Sequence, residues 1–178
     1  MIPAFSRLFL AMLEGGVTCV AAVRGQCLGG GMELAGFCHR VVVSPDARMG
    51  QPEILLGVLA PVAAAILPAR VGQAMAENLL LTGRIVTAEE ALRIGLADEI
   101  AEDPSAAALA WLTAHLLPKS ASSLRLALRA ARSGYARRLR IDLLAIEHLY
   151  LGDLMQTSDA AEGLSAFMEK RPPVWRNR

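Results

Sequence analysis

Charge of one sign is missing. Lys and Arg total 18 and Asp and Glu 17, a net charge of +1, so the chain is not a globally basic nucleic-acid binder. A long hydrophobic run is missing too. The most apolar stretch, Leu55 to Leu67, is too short to span a bilayer and is broken by Pro61. Phe9 to Val23 contains Glu14, Gly15 and Gly16, so it is no secretory h-region. Cysteine is sparse: Cys19, Cys27 and Cys38 cannot pair without one left over. With no leader before them, they point to a reduced, cytoplasmic protein. No Gly-x-Ser-x-Gly elbow occurs, and His39, His115 and His148 are scattered without the partner spacing of a metal site. What the chain has is apolar content, 54% against 20% charged, enough for a 178-residue chain to bury a core and offset its ordering entropy.

The pattern along the chain changes character. Phe5, Leu8, Phe9 and Met12 recur at helical spacing within Ala4 to Glu14, and Gly15-Gly16 ends the helix. Thr18 to Val23 and Val41 to Val43 read as short buried strands, the second closed by the turn Ser44-Pro45-Asp46. Met49 to Gly57 reads as irregular. From Pro61 onward the pattern is helical. Thr87-Ala88-Glu89-Glu90 has capping-box spacing, and Asp103-Pro104 and Ser120 with Ser123 mark further helix starts. Leu139 to Met155 and Asp159 to Lys170 read as amphipathic helices, and Pro172-Pro173 ends regular structure. The expected organisation is α/β over residues 1–103, a helical region over 104–171 and a mobile tail over 172–178. Two or three strands make a marginal sheet alone.

Chemistry concentrates after the first strand. Gly29-Gly30-Gly31 opens a helix, where backbone N–H groups lack intrahelical partners and glycine lets a ligand approach the backbone. Such a turn suits an anion or a developing oxyanion. A phosphate loop would need Lys-Ser or Lys-Thr where Met32-Glu33 stands, and a dinucleotide loop would need glycine where Leu34 stands. Read alone, the turn also fits a close-packed loop whose Glu33 complements the helix dipole. Glu53, in Gln51-Pro52-Glu53-Ile54-Leu55-Leu56-Gly57, is read alone as a solvated loop acid. Two carboxylates together offer more: adding water to a double bond requires an activated oxygen and a proton delivered to carbon, and a carboxylate pair can do both.

Gly25 to Ala35 followed by Gly50-Gln51-Pro52-Glu53, then Thr82 to Ala91 running to Gly95-Leu96-Ala97, and finally Glu162 to Arg171, resemble the enoyl-CoA hydratase/isomerase (crotonase) family over about Val17 to Arg171. The resemblance implies the ClpP/crotonase-like ββα spiral, an α/β (α+β) fold, and an acyl-CoA thioester as substrate. It implies that the N–H of Gly30 is one of two oxyanion donors. It further implies that Glu33 and Glu53 hold the water and handle its protons, and that Gly29, Gly31, Met32, Pro52, Leu59, Ala60 and Pro61 line the substrate site. No cofactor is expected beyond the CoA of the substrate, and no metal. Family isomerases often keep one such glutamate, so both together favour a hydratase, a lyase. The helical rear implies a trimer or dimer of trimers, with no nucleic-acid or membrane partner.

The chain departs from the family pattern twice. Ala60-Pro61-Val62-Ala63-Ala64 stands where the family has a glycine-rich run, and Gly57 to Pro61 is similar to cyclic dienoyl-CoA hydratases of aromatic-acid breakdown. The family's leading strands, which carry the second oxyanion donor, are missing from the chain. Two expectations therefore stand side by side: an acyl-CoA hydratase, or a truncated, non-catalytic member acting through its helical assembly region. Arg125, Arg129, Arg132, Arg137, Arg138 and Arg140 form an acid-free basic run, read either as a solvated helix face or as a CoA phosphate contact. Adjacent Cys38 and His39 diverge on a helix and make no dyad.

Overall fold

A computed structural model describes the backbone of residues 2–178 and the side chains of residues 7–178. Phe5 therefore lies outside the described side chains. Helix α1 (Ile2–Glu14) ends at Gly15-Gly16 as expected and sends Phe9 into the core. The next segments alternate in a regular way. Strand β1 (Val20–Val23) and strand β2 (Gln26–Leu28) precede helix α2 (Gly30–Phe37). Strand β3 (Arg40–Val43) and strand β4 (Arg48–Gly50) precede a 3₁₀ turn (Pro52–Leu56) and helix α3 (Pro61–Val71). Helix α4 (Gln73–Thr82), strand β5 (Ile85–Thr87), helix α5 (Ala88–Arg93) and strand β6 (Glu99–Ile100) complete the α/β part.

The strands divide between two sheets. One has the order β1-β3-β6, all parallel, and the other the order β2-β4-β5. In the second sheet β4 runs parallel to β2 and antiparallel to β5. Each ββα unit thus gives one strand to each layer and returns through a helix, a spiral. Val41, Val42 and Val43 are fully buried at its centre, with Met32, Met49, Leu67, Leu79 and Leu96 around them. Phe9 meets Phe37 edge to face at 5.0 Å, a favoured aromatic geometry.

Several expectations change here. The glycine segment holds β2, the segment read as irregular holds β4 and the 3₁₀ turn, and the stretch read as helical after Pro61 contains β5 and β6. Strands of two or three residues are shorter than one full apolar alternation and form because distant partners pair with them. The capping signals hold. Asp103 accepts from the N–H groups of Ser105 and Ala106 at the start of α6 (Pro104–His115). Ser120 accepts from Ser123 N–H at the start of α7 (Ala121–His148). Thr87 accepts from Glu90 N–H, but the Glu90 carboxylate turns to Arg84 at 2.8 Å, leaving the box half-built.

The helix expected over Leu139 to Met155 is the second half of the 28-residue α7. Gly134 does not break it, and Leu139 and Leu143 bury its seam. A π turn (Leu149–Asp153) and a short 3₁₀ turn (Leu154–Gln156) lead to α8 (Ser158–Met168). Residues 172–178, expected to be mobile, are held against α8 instead. Val174 N–H donates to Glu162 at 2.9 Å, and Arg176 and Asn177 N–H both donate to Asp159 at 2.7 Å. Acids in the first turns of α8 supply acceptors that prolines 172 and 173 gave no reason to expect.

Arg70 in α3 ties the layers together. It donates to the carbonyls of Leu96 and Cys38 and pairs with Asp98 at 2.5 Å. Asp98 in turn accepts from Val41 N–H at 2.7 Å. Arg70→Met leaves the Leu96 and Cys38 carbonyls without this donor and Asp98 with only the Val41 N–H, and is expected to cost about 2–4 kcal/mol of unfolding free energy, read from urea denaturation. A change under about 0.5 kcal/mol would remove Arg70 from this role.

Candidate active site

The β2–β4 register builds the site. Gln26, Cys27 and Leu28 stand beside Arg48, Met49 and Gly50. The residues that leave the two parallel strands are therefore neighbours: Gly29-Gly30-Gly31 on one side, Gln51-Pro52-Glu53 on the other. Both leave at the carboxyl ends of the strands, where open α/β folds place ligands. Gly29 N–H donates to the Gly50 carbonyl at 3.0 Å, and Gln51 Nε2 donates to the Gly29 carbonyl at 3.2 Å.

Gly29 has φ 54 and ψ −129 as the N-cap of α2, a conformation open to glycine. A Cβ on it would lie 2.6 Å from Glu53 Oε1. The Glu53 carboxylate thus rests on the bare α-carbon of the glycine turn. Gly30 follows as the first residue of α2, where a backbone N–H has no intrahelical acceptor.

Glu33 lies in the first turn of the same helix and is 4% exposed. Its Oε1 accepts from Ala63 N–H at 2.8 Å. Burial pushes its pKa up from 4.5 to about 7, opposed by the Ala63 and Val62 amides and assisted by the charge of Glu53. Burial also raises the Glu53 carboxyl, and its Oε2 is buried without a protein hydrogen-bond partner. Burial pushes the phenol of Tyr150, in the π turn, up, and the Glu53 charge adds to it.

The other expected residues divide. Pro52 begins the 3₁₀ turn and is half-buried, as are Leu59 and Pro61. Gly31 lines a cavity of about 440 Å³ along β1 with Leu34 and Cys27. Met32 is fully buried in the hydrophobic core, on the face of α2 that packs inward. Ala60 caps α3 through backbone alone and is buried, as are Val62 and Ala63. Within the run that replaces the family's glycine-rich segment, Ala60, Val62 and Ala63 fill core, while Pro61 and Ala64 are half-buried. Sequence reasoning missed Gln51 and Ala63, which hold the glycine turn and Glu33. Ala63 acts through its amide, which no residue type announces, while Gln51 stood in plain view beside Pro52-Glu53.

Of the arginine run, Arg125, Arg129 and Arg137 are exposed on α7, and the other three have partners in the fold. Arg132 donates to the Phe37 carbonyl at the end of α2 and stacks on Phe37 and Tyr135, Arg138 pairs with Asp142, and Arg140 pairs with Glu14. His39 accepts from Cys19 N–H at 2.9 Å, and burial, with Arg132 close by, drives its pKa down to about 4.

A paired-carboxylate turn on a ββα spiral defines a class. The enoyl-CoA hydratase/isomerase family matches residues 2–178, and the chain belongs to that family. It is 51% identical over its whole length to cyclohexa-1,5-dienecarbonyl-CoA hydratase of Thauera aromatica, spanning 69% of that protein. It is 37% identical to 2,3-dehydroadipyl-CoA hydratase of Escherichia coli, with 89% of this chain and 63% of that one aligned. An enoyl-CoA hydratase structure from Mycobacterium avium subsp. paratuberculosis superposes with TM-score 0.87 at 26% identity, covering 99% of this chain and 72% of that one.

The raised Glu33 pKa has a sign. Above its ordinary 4.5 the unfolded state releases a proton that the folded state keeps until about pH 7, so this group's contribution to stability falls as pH rises through that window. Glu33→Gln does not titrate. The stability difference between Glu33→Gln and wild type should therefore shift in favour of the variant between pH 5 and pH 8, by up to about 3 kcal/mol, measured by denaturation at each pH. A difference that stays constant with pH would refute the raised pKa.

Proposed function

We propose that the protein hydrates an enoyl-CoA thioester, adding water across its α,β-double bond. The observation that carries this reading is the convergence of Glu33 and Glu53 on the Gly29–Gly31 turn, with one Glu53 oxygen against Gly29 and the other unpaired and buried. The thioester carbonyl takes the N–H of Gly30, where developing enolate charge meets the positive end of α2. The water sits between the carboxylates. One accepts its proton as its oxygen bonds to the β-carbon, and the other delivers a proton to the α-carbon. With Glu33 near 7, both protonation states of the pair are accessible at neutral pH. The sequence identity to a cyclohexadienecarbonyl-CoA hydratase supports a cyclic dienoyl-CoA as the substrate.

We further propose a homo-oligomer, a trimer or dimer of trimers, through the rear helices. Ile141 and Leu144 of α7 are 68% and 71% exposed, and Phe167 and Met168 of α8 are 61% and 80% exposed, an apolar display uncommon on soluble monomers. No helix among the described residues is long and apolar enough to cross a membrane, and the three cysteines are free, which supports a reduced, cytoplasmic setting. Light scattering coupled to size exclusion tests the assembly, with a monodisperse monomer counting against it.

Glu33→Gln and Glu53→Gln are each expected to lower kcat for enoyl-CoA hydration by about 10²–10⁴. The dissociation constant of a saturated acyl-CoA should stay within about threefold, because the backbone donor remains. Wild-type turnover in either variant would remove that carboxylate from the reaction. Gly29→Ala, forced to displace Glu53, should lose activity on a similar scale.

A further inference from the structure

The 3₁₀ turn that carries Glu53 is five residues long, and such turns hold their geometry poorly without outside support. Its support comes from the far end of the chain. Gly57 closes the turn at φ 69, with its N–H on Ile54 and the Val58 N–H on the Glu53 carbonyl at 3.2 Å. A Cβ on Gly57 would lie 2.9 Å from Cζ3 of Trp175 and 2.9 Å from the Asp159 carbonyl. A Cβ on Gly163 of α8 would collide with the Leu56 carbonyl and lie 3.1 Å from Cη2 of Trp175. Two bare glycines thus form a notch, and the edge of the Trp175 ring occupies it.

The segment bearing Trp175 is tied on both sides of the ring. Before it, Val174 N–H donates to Glu162, itself gripped by Arg171 through two contacts of 2.5 and 3.0 Å. After it, Asp159 accepts from two successive N–H groups, and Ser158 donates through N–H and hydroxyl to the Arg178 carbonyl at 2.9 and 2.5 Å. Three of the five N–H groups in residues 172–178 are thus bonded to acids of α8, outside any helix or strand.

We propose that residues 172–178 are a strap that positions Glu53, with Trp175 as the positioning residue that locks the Gly57 end of the 3₁₀ turn against α8. The inference rests on the hydratase reading and adds to it a residue that never touches the substrate. The strap fixes where Glu53 lies relative to Glu33 and the glycine turn. A shift of about 1 Å in a reacting group can cost up to about 100-fold in rate. Ring removal should therefore act on the chemical step and leave the glycine turn's grip on the thioester intact.

Trp175→Ala, Trp175→Phe and Glu53→Gln test this, alone and combined. Trp175→Ala should lower kcat about tenfold or more with KM within about twofold, and Trp175→Phe should recover most of the loss. In the Glu53→Gln background Trp175→Ala should cost less than about twofold more, since there is no carboxylate left to misplace. Amide exchange should quicken at residues 52–58 in Trp175→Ala and stay unchanged in α3. An equal loss in both backgrounds, a loss carried by KM, or unchanged exchange at 52–58 would overturn the proposal. Should Trp175→Ala not fold, Asp159→Asn, which loosens the strap at the other side of the ring, carries the same comparison. The exchange measurement needs no turnover. A protein that hydrates nothing would sink the hydratase reading while the strap is still judged by exchange.

Discussion

Everything at the site depends on the parallel pairing of β2 with β4. Three residue pairs set it, and it decides that the glycine turn and the Glu53 turn emerge side by side. A slip of one residue would reverse which faces point to the core and separate Gly29 from Gly50. The pairing is stiffened from its far side, because β4 is also bonded to β5 and so is no edge strand. A Cβ on Gly50 would press to 2.9 Å on the Arg84 carbonyl, so the close approach of β5 depends on that glycine. The electrostatics follow from the same geometry. Burial is what drives the Glu33 carboxyl toward neutrality, and the Glu53 charge adds a smaller push in the same direction.

Glu33 answers to two helices. It sits in the first turn of α2, where a negative charge is favoured, and its side chain crosses to an amide of the first turn of α3. Both helix starts favour the charged form, while burial disfavours it, and burial is the larger effect. The outcome is a carboxyl group able to exchange a proton near neutral pH, held in place from two directions.

Much of this was legible in the chain, and the gaps have physical reasons. The glycine turn, both glutamates, the three helix caps at Thr87, Asp103 and Ser120, and the family were readable because each rests on local chemistry or a long motif. Strands β2, β4, β5 and β6 were not, because a strand of two or three residues is stabilised by partners far away in sequence rather than by its own pattern. Ala63 was invisible for a related reason: it contributes an amide that any residue but proline would supply. The anchoring of 172–178 depended on acceptors at Asp159 and Glu162 that face it only in the folded chain, and the family resemblance carried no signal for it.

The unassisted start of α3 has a consequence for how the helix is held. Ala60 offers no side chain to cap the helix, and the Ala63 amide finds its acceptor on α2, thirty residues earlier in the chain. The Ala63 amide is therefore paired only when α2 is in place, while Ala64 N–H closes the turn on the Ala60 carbonyl at 3.0 Å. The Glu33 carboxylate thus ties the start of α3 to α2 across thirty residues of chain.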